Sequence, residues 1–336
     1  MEQNDRKWNV AIVGATGAVG EEMRQCLEER DFPLAELRLL ASSRSKGRRL
    51  PFRGGEIEVA ELTHDSFSGI DIALFSAGGS ISKEFAPSAA AAGAVVIDNS
   101  SAFRLDPDVP LVVPEINPTA AAERPRGIVA NPNCTTIVSL MALAPLHEAF
   151  GLEAVIASSY QAVSGSGAQG IAELDEQVRA LAEGREVVPK VYPKQIAFNV
   201  IPQIDVFTEN GYTKEEMKMQ NESRKILGAP GLKVSCTCVR VPVHRSHSVA
   251  ITAQFSRPVE PDAARAAFEG HPGIRVVDDP ATGLFPVPLD TTGKDDCLVG
   301  RIRRSLVLDN ALDLWVVGDQ VRKGAALNAV QIAELL

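Results

Sequence analysis

The apolar run Trp8-Asn-Val-Ala-Ile-Val13 leads directly into Gly14-Ala-Thr-Gly-Ala-Val-Gly20 and then into the helical pattern of residues 21–31. A strand, a glycine turn and a helix in immediate succession commit this part of the chain to a parallel α/β sheet. The glycines permit the tight turn and let the helix approach the strand closely. The same turn aims the unsatisfied N–H groups of the helix outward, where they can hold a pyrophosphate. A glycine turn can be purely structural, but its place after the first strand favours nucleotide binding.

Further strands are expected at Glu36–Ala41, Ile70–Ser76 and Ala94–Asp98, with an alanine-rich helix around Ser82–Ala92. This alternation gives parallel strands joined by right-handed crossovers. Ser76-Ala-Gly-Gly-Ser80 comes at a strand's C-terminal end, the side on which such sheets bind ligands, and is expected to line the cofactor cleft. The end of the second strand is where an acidic residue would bind the ribose 2′-hydroxyl of NAD. None stands there; the chain reads Ser42-Ser-Arg-Ser-Lys-Gly-Arg-Arg49, whose hydroxyls and guanidinium groups suit a 2′-phosphate and so favour NADP. The other reading of this stretch is an exposed basic loop.

From about residue 135 the rhythm changes to long strands, including Ala154–Ala162, Val234–Val243 and Ser248–Gln254, with helical stretches at Ile171–Ala182 and Lys214–Leu227. This reads as an α+β domain on a mixed or antiparallel sheet. Ala325–Leu336 is expected to be an amphipathic helix that returns to the first domain. A chain of 336 residues can bury two cores. The expected organisation is therefore a Rossmann-like parallel-sheet domain, residues 1–132 with 322–336, and an α+β domain, residues 133–321.

A hydrophobic share of 45% and a charged share of 23% suit a soluble globular protein, and a formal charge of −9 argues against a general affinity for nucleic acid. The stretch MEQNDRKWNV has no apolar signal region, and no run approaches the roughly 18 apolar residues of a membrane span. Five scattered cysteines, an odd number, fit a reducing cytoplasmic setting, with each expected to be a thiol.

One of those cysteines, Cys134, stands between Asn131-Pro-Asn133 and Thr135-Thr136, after the strand-like Ile128–Ala130 and before the helical Ile137–Leu146. A helix N-terminus favours thiolate over thiol, and a thiolate there is suited to attack a carbonyl. A buried structural cysteine is the alternative at this position. A base is supplied by Arg240-Val-Pro-Val-His-Arg-Ser-His247, where His247 can act as acid/base near neutral pH and Arg240 can grip a carboxylate with two hydrogen bonds. The same segment can also be a basic surface loop. Cys236 and Cys238, two apart on a strand, share a face and read as packing, with no partner pair at zinc-site spacing. Cys26 and Cys297 read as inert.

Gly14–Gly20, Ser100-Ser-Ala-Phe-Arg104, Asn131-Pro-Asn-Cys-Thr-Thr136, Arg240–His247 and Arg322-Lys-Gly-Ala-Ala-Leu-Asn-Ala-Val-Gln331, taken in series, resemble aspartate-semialdehyde dehydrogenase nearly end to end. The resemblance implies NADPH-dependent reductive dephosphorylation of L-aspartyl 4-phosphate to L-aspartate 4-semialdehyde and phosphate, on the route to lysine, threonine and methionine. It implies Cys134 as nucleophile, His247 as acid/base and Gln161 as the residue orienting the acyl group. Arg240 would hold the substrate's α-carboxylate and Glu215 its ammonium, while Arg104, Lys218 and Asn133 would bind phosphate. Gly14, Thr16, Gly17, Ala18, Val19, Arg44, Ser45, Ser164, Gly165 and Asn328 would contact the cofactor, and the second domain would form a homodimer interface. Adjacent Glu215 and Glu216 both compete for the ammonium role; a helix sets them about 100° apart, and Glu215 shares a face with Lys218.

The nearest rival resemblance is N-acetyl-glutamyl-phosphate reductase, whose acetylated nitrogen has no use for a carboxylate such as Glu215. Glyceraldehyde-3-phosphate dehydrogenase shares Cys-Thr-Thr but not the wider sequence. A non-catalytic NADP-binding homologue would be expected to lack Cys134 or His247, and both are present.

Overall fold

The computed structural model describes residues 6–336; Met1–Asp5, part of the stretch read above for a signal region, lie outside the described residues. The chain divides into two compact units, Met1–Pro132 with Ala325–Leu336, and Asn133–Gly324.

The first unit runs β1 (Trp8–Val13), α1 (Ala18–Glu29), β2 (Leu34–Ala41), β3 (Arg49–Phe52), β4 (Gly55–Glu61), β5 (Ile72–Phe75), α2 (Gly79–Ala91), β6 (Val95–Asp98) and β7 (Ile128–Ala130). Its seven strands lie in the order β3-β4-β2-β1-β5-β6-β7, all parallel except β3. β2 and β5 flank β1 on opposite sides, so the strand order reverses beside β1, the position at which open α/β sheets bind ligands. The β3–β4 hairpin was not legible in the basic stretch. It turns on Arg53 and Gly54, both at positive φ, the two-residue geometry that matches strand twist.

The glycine turn explains itself residue by residue. Gly14 has φ +87, and a Cβ there would sit 3.0 Å from the backbone of Ser76 and Ala77; a Cβ at Gly20 would sit 2.3 Å from the Gly14 carbonyl oxygen. Only glycine lets α1 lie this close to β1. Met23 and Leu27, one turn apart on α1, are fully buried, each worth about 1.5–3 kcal/mol of transfer free energy.

The second unit contains α3 (Cys134–Phe150), β8 (Leu152–Gln161), α4 (Ala168–Ala182), α5 (Lys214–Ile226), β9 (Lys233–Arg240), β10 (His247–Phe255), α6 (Pro261–Ala267), β11 (Ile274–Val276), α7 (Pro288–Thr291), β12 (Cys297–Arg304) and β13 (Ala311–Gly318). Its mixed sheet has the order β11-β12-β13-β10-β8-β9. β8 and β9 are parallel; β10 is antiparallel to β8 and to β13. The inward rows on β8, β9 and β10 are Val155-Ala157-Ser159, Val234-Cys236-Cys238 and Val249-Ile251-Ala253, with α3 and α5 packed against the sheet. The opposite face presents Ile156 and Tyr160 to solvent.

Most elements begin or end within three residues of the expectations above, and three of the differences have a plain physical cause. β9 ends at Arg240 rather than Val243, since Pro242 has no N–H to donate. α3 begins at Cys134 itself rather than Ile137, because Asn133 caps it. The C-terminal helix α8 (Leu327–Glu334) follows a π turn at Arg322–Ala326, and it is buried nearly all round rather than amphipathic. Among the described residues no helix is long and apolar enough to cross a membrane.

Candidate active site

The inward rows of three neighbouring strands end on polar side chains. Gln161 continues the Val155-Ala157-Ser159 row, Arg240 continues Val234-Cys236-Cys238, and His247 opens the Val249-Ile251-Ala253 row. Gln161 and Arg240 are register partners on parallel strands. Because β10 runs the other way, its first residue meets their last ones. The backbone of Ala162 joins two of the three: its N–H donates to His247 Nδ1 at 3.1 Å, and its carbonyl accepts from Arg240 Nη1 at 2.6 Å. The Tyr192 ring lies 5.9 Å from the Arg240 guanidinium.

His247 is fully buried. Burial first, and the Arg240 charge second, hold its pKa well below the ordinary histidine value, so the ring is neutral. With Nδ1 accepting the Ala162 N–H, the single ring proton resides on Nε2. Nε2 is buried with no hydrogen-bond partner among the described residues. A buried donor left unmet costs about 1–3 kcal/mol, so this N–H is aimed at an acceptor that a substrate can bring.

Cys134 is the first residue of α3 and is partly exposed. Asn133 builds the turn beneath it. Its Oδ1 accepts from the N–H groups of Thr135 and Thr136 at 3.0 and 3.2 Å, its Nδ2 donates to Glu215 Oε1 at 2.9 Å, and its own N–H donates to Glu222 Oε2 at 2.7 Å. On the other side the chain at Gly324 passes so close that a Cβ would lie 3.0 Å from the Cys134 Cβ.

The two adjacent glutamates of α5 have separate fates. Glu216 closes a capping box with Thr213 and accepts the Cys238 N–H at 2.9 Å, so it holds the helix to β9. Glu215 is buried and accepts from Asn133, from Gln161 Nε2 at 3.3 Å and from Lys218 Nζ at 2.9 Å. Burial opposes its charge, but Lys218 and these hydrogen bonds outweigh it and keep the carboxylate pKa below its ordinary value. Burial likewise opposes the Lys218 charge, but Glu215 and Asp205, the latter 3.2 Å away, raise its pKa. The thiol helix, Gln161 and the Glu215–Lys218 pair are thus linked by direct hydrogen bonds. Glu222, buried and one residue from the thiol, was not singled out in the sequence, where it looks like one more charge on a polar helix.

Other side chains are engaged elsewhere. Arg104 is buried and donates to the carbonyls of Asn131 and Asn99. Asn328 is fully buried, donating to Val112 O and Asn131 Oδ1. Ser164 accepts from Gln320, and Gly165 is exposed, with a Cβ position 2.8 Å from Arg240 Nη1. Cys236 and Cys238 face each other with sulfurs 3.8 Å apart; the Cys236 thiol and burial push the Cys238 pKa far upward, which makes it a poor nucleophile.

In the first unit, Gly17 is exposed at the N-terminus of α1, and Thr16 Oγ1 lies 3.5 Å from Ser45 Oγ, tying the glycine turn to the stretch after β2. Lys46 and Arg49 pair with Glu61 and Glu56, while exposed Arg44 and Arg48 have no ion pair among the described residues. A cradle of N–H groups at the start of a helix can hold the pyrophosphate of a dinucleotide.

Residues 9–124 match the family described as semialdehyde dehydrogenase, NAD binding domain, and residues 143–323 match semialdehyde dehydrogenase, dimerisation domain. The chain is 53% identical to the aspartate-semialdehyde dehydrogenase of Aquifex aeolicus over 98% of each sequence. Aspartate semialdehyde dehydrogenase II of Vibrio cholerae, solved in complex with ASA, superimposes with a TM-score of 0.96 at 50% identity, covering 98% of each chain. The Candida albicans enzyme, solved with NADP, gives a TM-score of 0.77 at 26% identity over 98% of each chain.

Proposed function

The chain belongs to the aspartate-semialdehyde dehydrogenase family, and from that premise we propose a role for each side chain of its site. The protein is an oxidoreductase of amino-acid biosynthesis that interconverts L-aspartyl 4-phosphate and L-aspartate 4-semialdehyde, with a pyridine nucleotide as redox partner.

In the biosynthetic direction the Cys134 sulfur attacks the acyl carbon, the bond from carbon to the phosphate oxygen breaks, and phosphate leaves with that electron pair. A thioester remains on Cys134. The start of α3 favours the thiolate this step needs. Gln161 orients the acyl group, and the His247 Nε2–H donates to its oxygen, stabilising negative charge as it develops. Arg240, already aligned by the Ala162 carbonyl, takes the α-carboxylate with its outer nitrogens. Glu215 takes the ammonium, for which Lys218 is the resident stand-in cation. Lys218, Asn133 and Arg104 are assigned to phosphate by resemblance. A nicotinamide, when bound, would supply the hydride that takes the thioester to the aldehyde, the carbon–sulfur bond breaking with its electron pair returning to Cys134.

The cofactor is NADP. Arg44 and Arg48 support this assignment, as does the lack of an acidic residue after β2, and the Candida albicans relative was solved with NADP. Gly14, Thr16, Gly17, Ala18, Val19 and Ser45 form its cradle, with Ser164, Gly165 and Asn328 assigned by resemblance. The protein works as a cytoplasmic homodimer through its second unit, a reading supported by the dimerisation-domain match and by Ile156 and Tyr160 on the outer sheet face.

The observation that carries the mechanism is the convergence of Gln161, Arg240 and His247 at three strand ends, hydrogen-bonded through Glu215 to the helix that starts at Cys134. The test is phosphate-dependent nucleotide reduction with L-aspartate semialdehyde, compared between NADP and NAD and against N-acetyl-glutamate semialdehyde. Activity with the aspartyl substrate, faster with NADP, is expected. Preference for the acetylated substrate would overturn the role of Glu215, and equal use of NAD would overturn the role of Arg44.

A further inference from the structure

We propose that Glu222 is a positioning residue for Cys134. It is 1% exposed, sits on α5, and points Oε2 at the Asn133 N–H from 2.7 Å. Glu215 and Glu222 lie seven residues apart, two turns along one face of α5, and both grip Asn133, one by its side-chain amide and one by its backbone. Asn133 in turn caps α3 through Thr135 and Thr136, so α5 sets where the thiol-bearing residue begins its helix.

The two grips do different work. If Glu215 receives the substrate ammonium, its bond to the Asn133 amide is shared or given up at the moment Cys134 must hold its aim. Glu222 holds the Asn133 backbone N–H rather than its side-chain amide, and keeps that backbone in place through the exchange. Its carboxylate also stands at the positive end of α3, where it favours the helix. This inference rests on Cys134 being the nucleophile.

The experiment compares wild type, Glu222→Leu, Glu222→Gln and Cys134→Ala. Two quantities are read: steady-state NADP reduction with L-aspartate semialdehyde and phosphate, and the rate of Cys134 alkylation by iodoacetamide as a function of pH, mapped by peptide mass. Leucine removes the acceptor; glutamine keeps one without the charge. Glu222→Leu is expected to lower kcat and slow alkylation by about tenfold or more with KM nearly unchanged, and Glu222→Gln to recover most of the loss. Unchanged kcat and alkylation in Glu222→Leu, a loss confined to KM, or a glutamine variant as impaired as leucine would each overturn the proposal. Should Glu222→Leu fail to fold, Glu222→Asp, which withdraws the acceptor by one methylene, takes its place with the same expectations. Turnover that survives Cys134→Ala would refute the nucleophile instead; turnover lost there but unmoved in Glu222→Leu would refute only the role of Glu222.

Discussion

Replacing Gly165 with alanine isolates the aim of Arg240. Gly165 is not among the positive-φ glycines, so its backbone accepts alanine, and the whole effect is steric. The new Cβ would lie 2.8 Å from Arg240 Nη1, 3.4 Å from His247 Cε1 and 3.5 Å from His247 Nε2. Nonbonded heavy atoms settle at about 3.5 Å or beyond, so the guanidinium must retreat by roughly 0.7 Å, while the imidazole barely needs to move. The retreat stretches its 2.6 Å bond to the Ala162 carbonyl past the range of a good hydrogen bond. A charged hydrogen bond of this kind is worth about 1.5–3 kcal/mol, and a misplacement approaching 1 Å can cost up to about a hundredfold in rate. The expected outcome is a tenfold to hundredfold fall in kcat/KM, on the order set by those terms and carried mainly by the KM for L-aspartate semialdehyde. Tm should fall by only a few degrees, because the lost bond of about 1.5–3 kcal/mol is offset in part by the roughly 0.4–1 kcal/mol that alanine contributes by stiffening the unfolded chain. Steady-state kinetics with both substrates varied, together with thermal melting, test this. An unchanged kcat/KM, a change confined to the KM for NADP, or a large drop in Tm would refute the reasoning.

Glu215→Gln keeps an acceptor for the Asn133 amide but removes the charge opposite the ammonium; it should raise the KM for L-aspartate semialdehyde by about tenfold or more and leave the KM for phosphate less affected, measured by the same kinetics. His247 has a folded pKa below its unfolded value, so the unfolded chain binds the proton first; its contribution to stability is intact above about pH 6.5 and is lost as pH falls below that. Between about pH 7.5 and 5.5 the wild-type Tm should therefore fall more steeply than that of His247→Gln, and equal slopes would contradict the neutral buried ring. Arg44→Ala should raise the KM for NADP by about tenfold while leaving that for NAD within about twofold, because only the former carries the 2′-phosphate.

Much of the first unit was legible because its signals are local. Gly20 answers to the Gly14 carbonyl within the same turn, and the absence of an acidic residue after β2 can be seen by reading. The β3–β4 hairpin was missed because Arg48 and Arg49 read as loop, although Arg53-Gly54 is a two-residue turn between short alternating runs. In the second unit the individual residues could be named, but their meeting could not. Gln161, Arg240 and His247 come together only through the register of three strands, and register is set by tertiary packing. The tautomer of His247 depends on the N–H of Ala162, 85 residues away in sequence. In the sequence Glu216 competes with Glu215 for the ammonium and Glu222 looks like ordinary surface charge on α5; burial against β9 and α3 gives one a capping role and the other the Asn133 N–H. The C-terminal segment misled for the opposite reason, since Gln331 and Glu334 suggest a polar face on a helix that is buried nearly throughout.

The most direct measurement traps the covalent intermediate. Enzyme mixed with L-aspartyl 4-phosphate without nucleotide, quenched in acid and examined by intact mass and peptide mapping, should carry one aspartyl group on the peptide that contains Cys134, with phosphate released in equal amount. The same mixture with Cys134→Ala should carry none. An adduct that persists in that variant, or that maps to Cys297 or any other residue, would contradict the account.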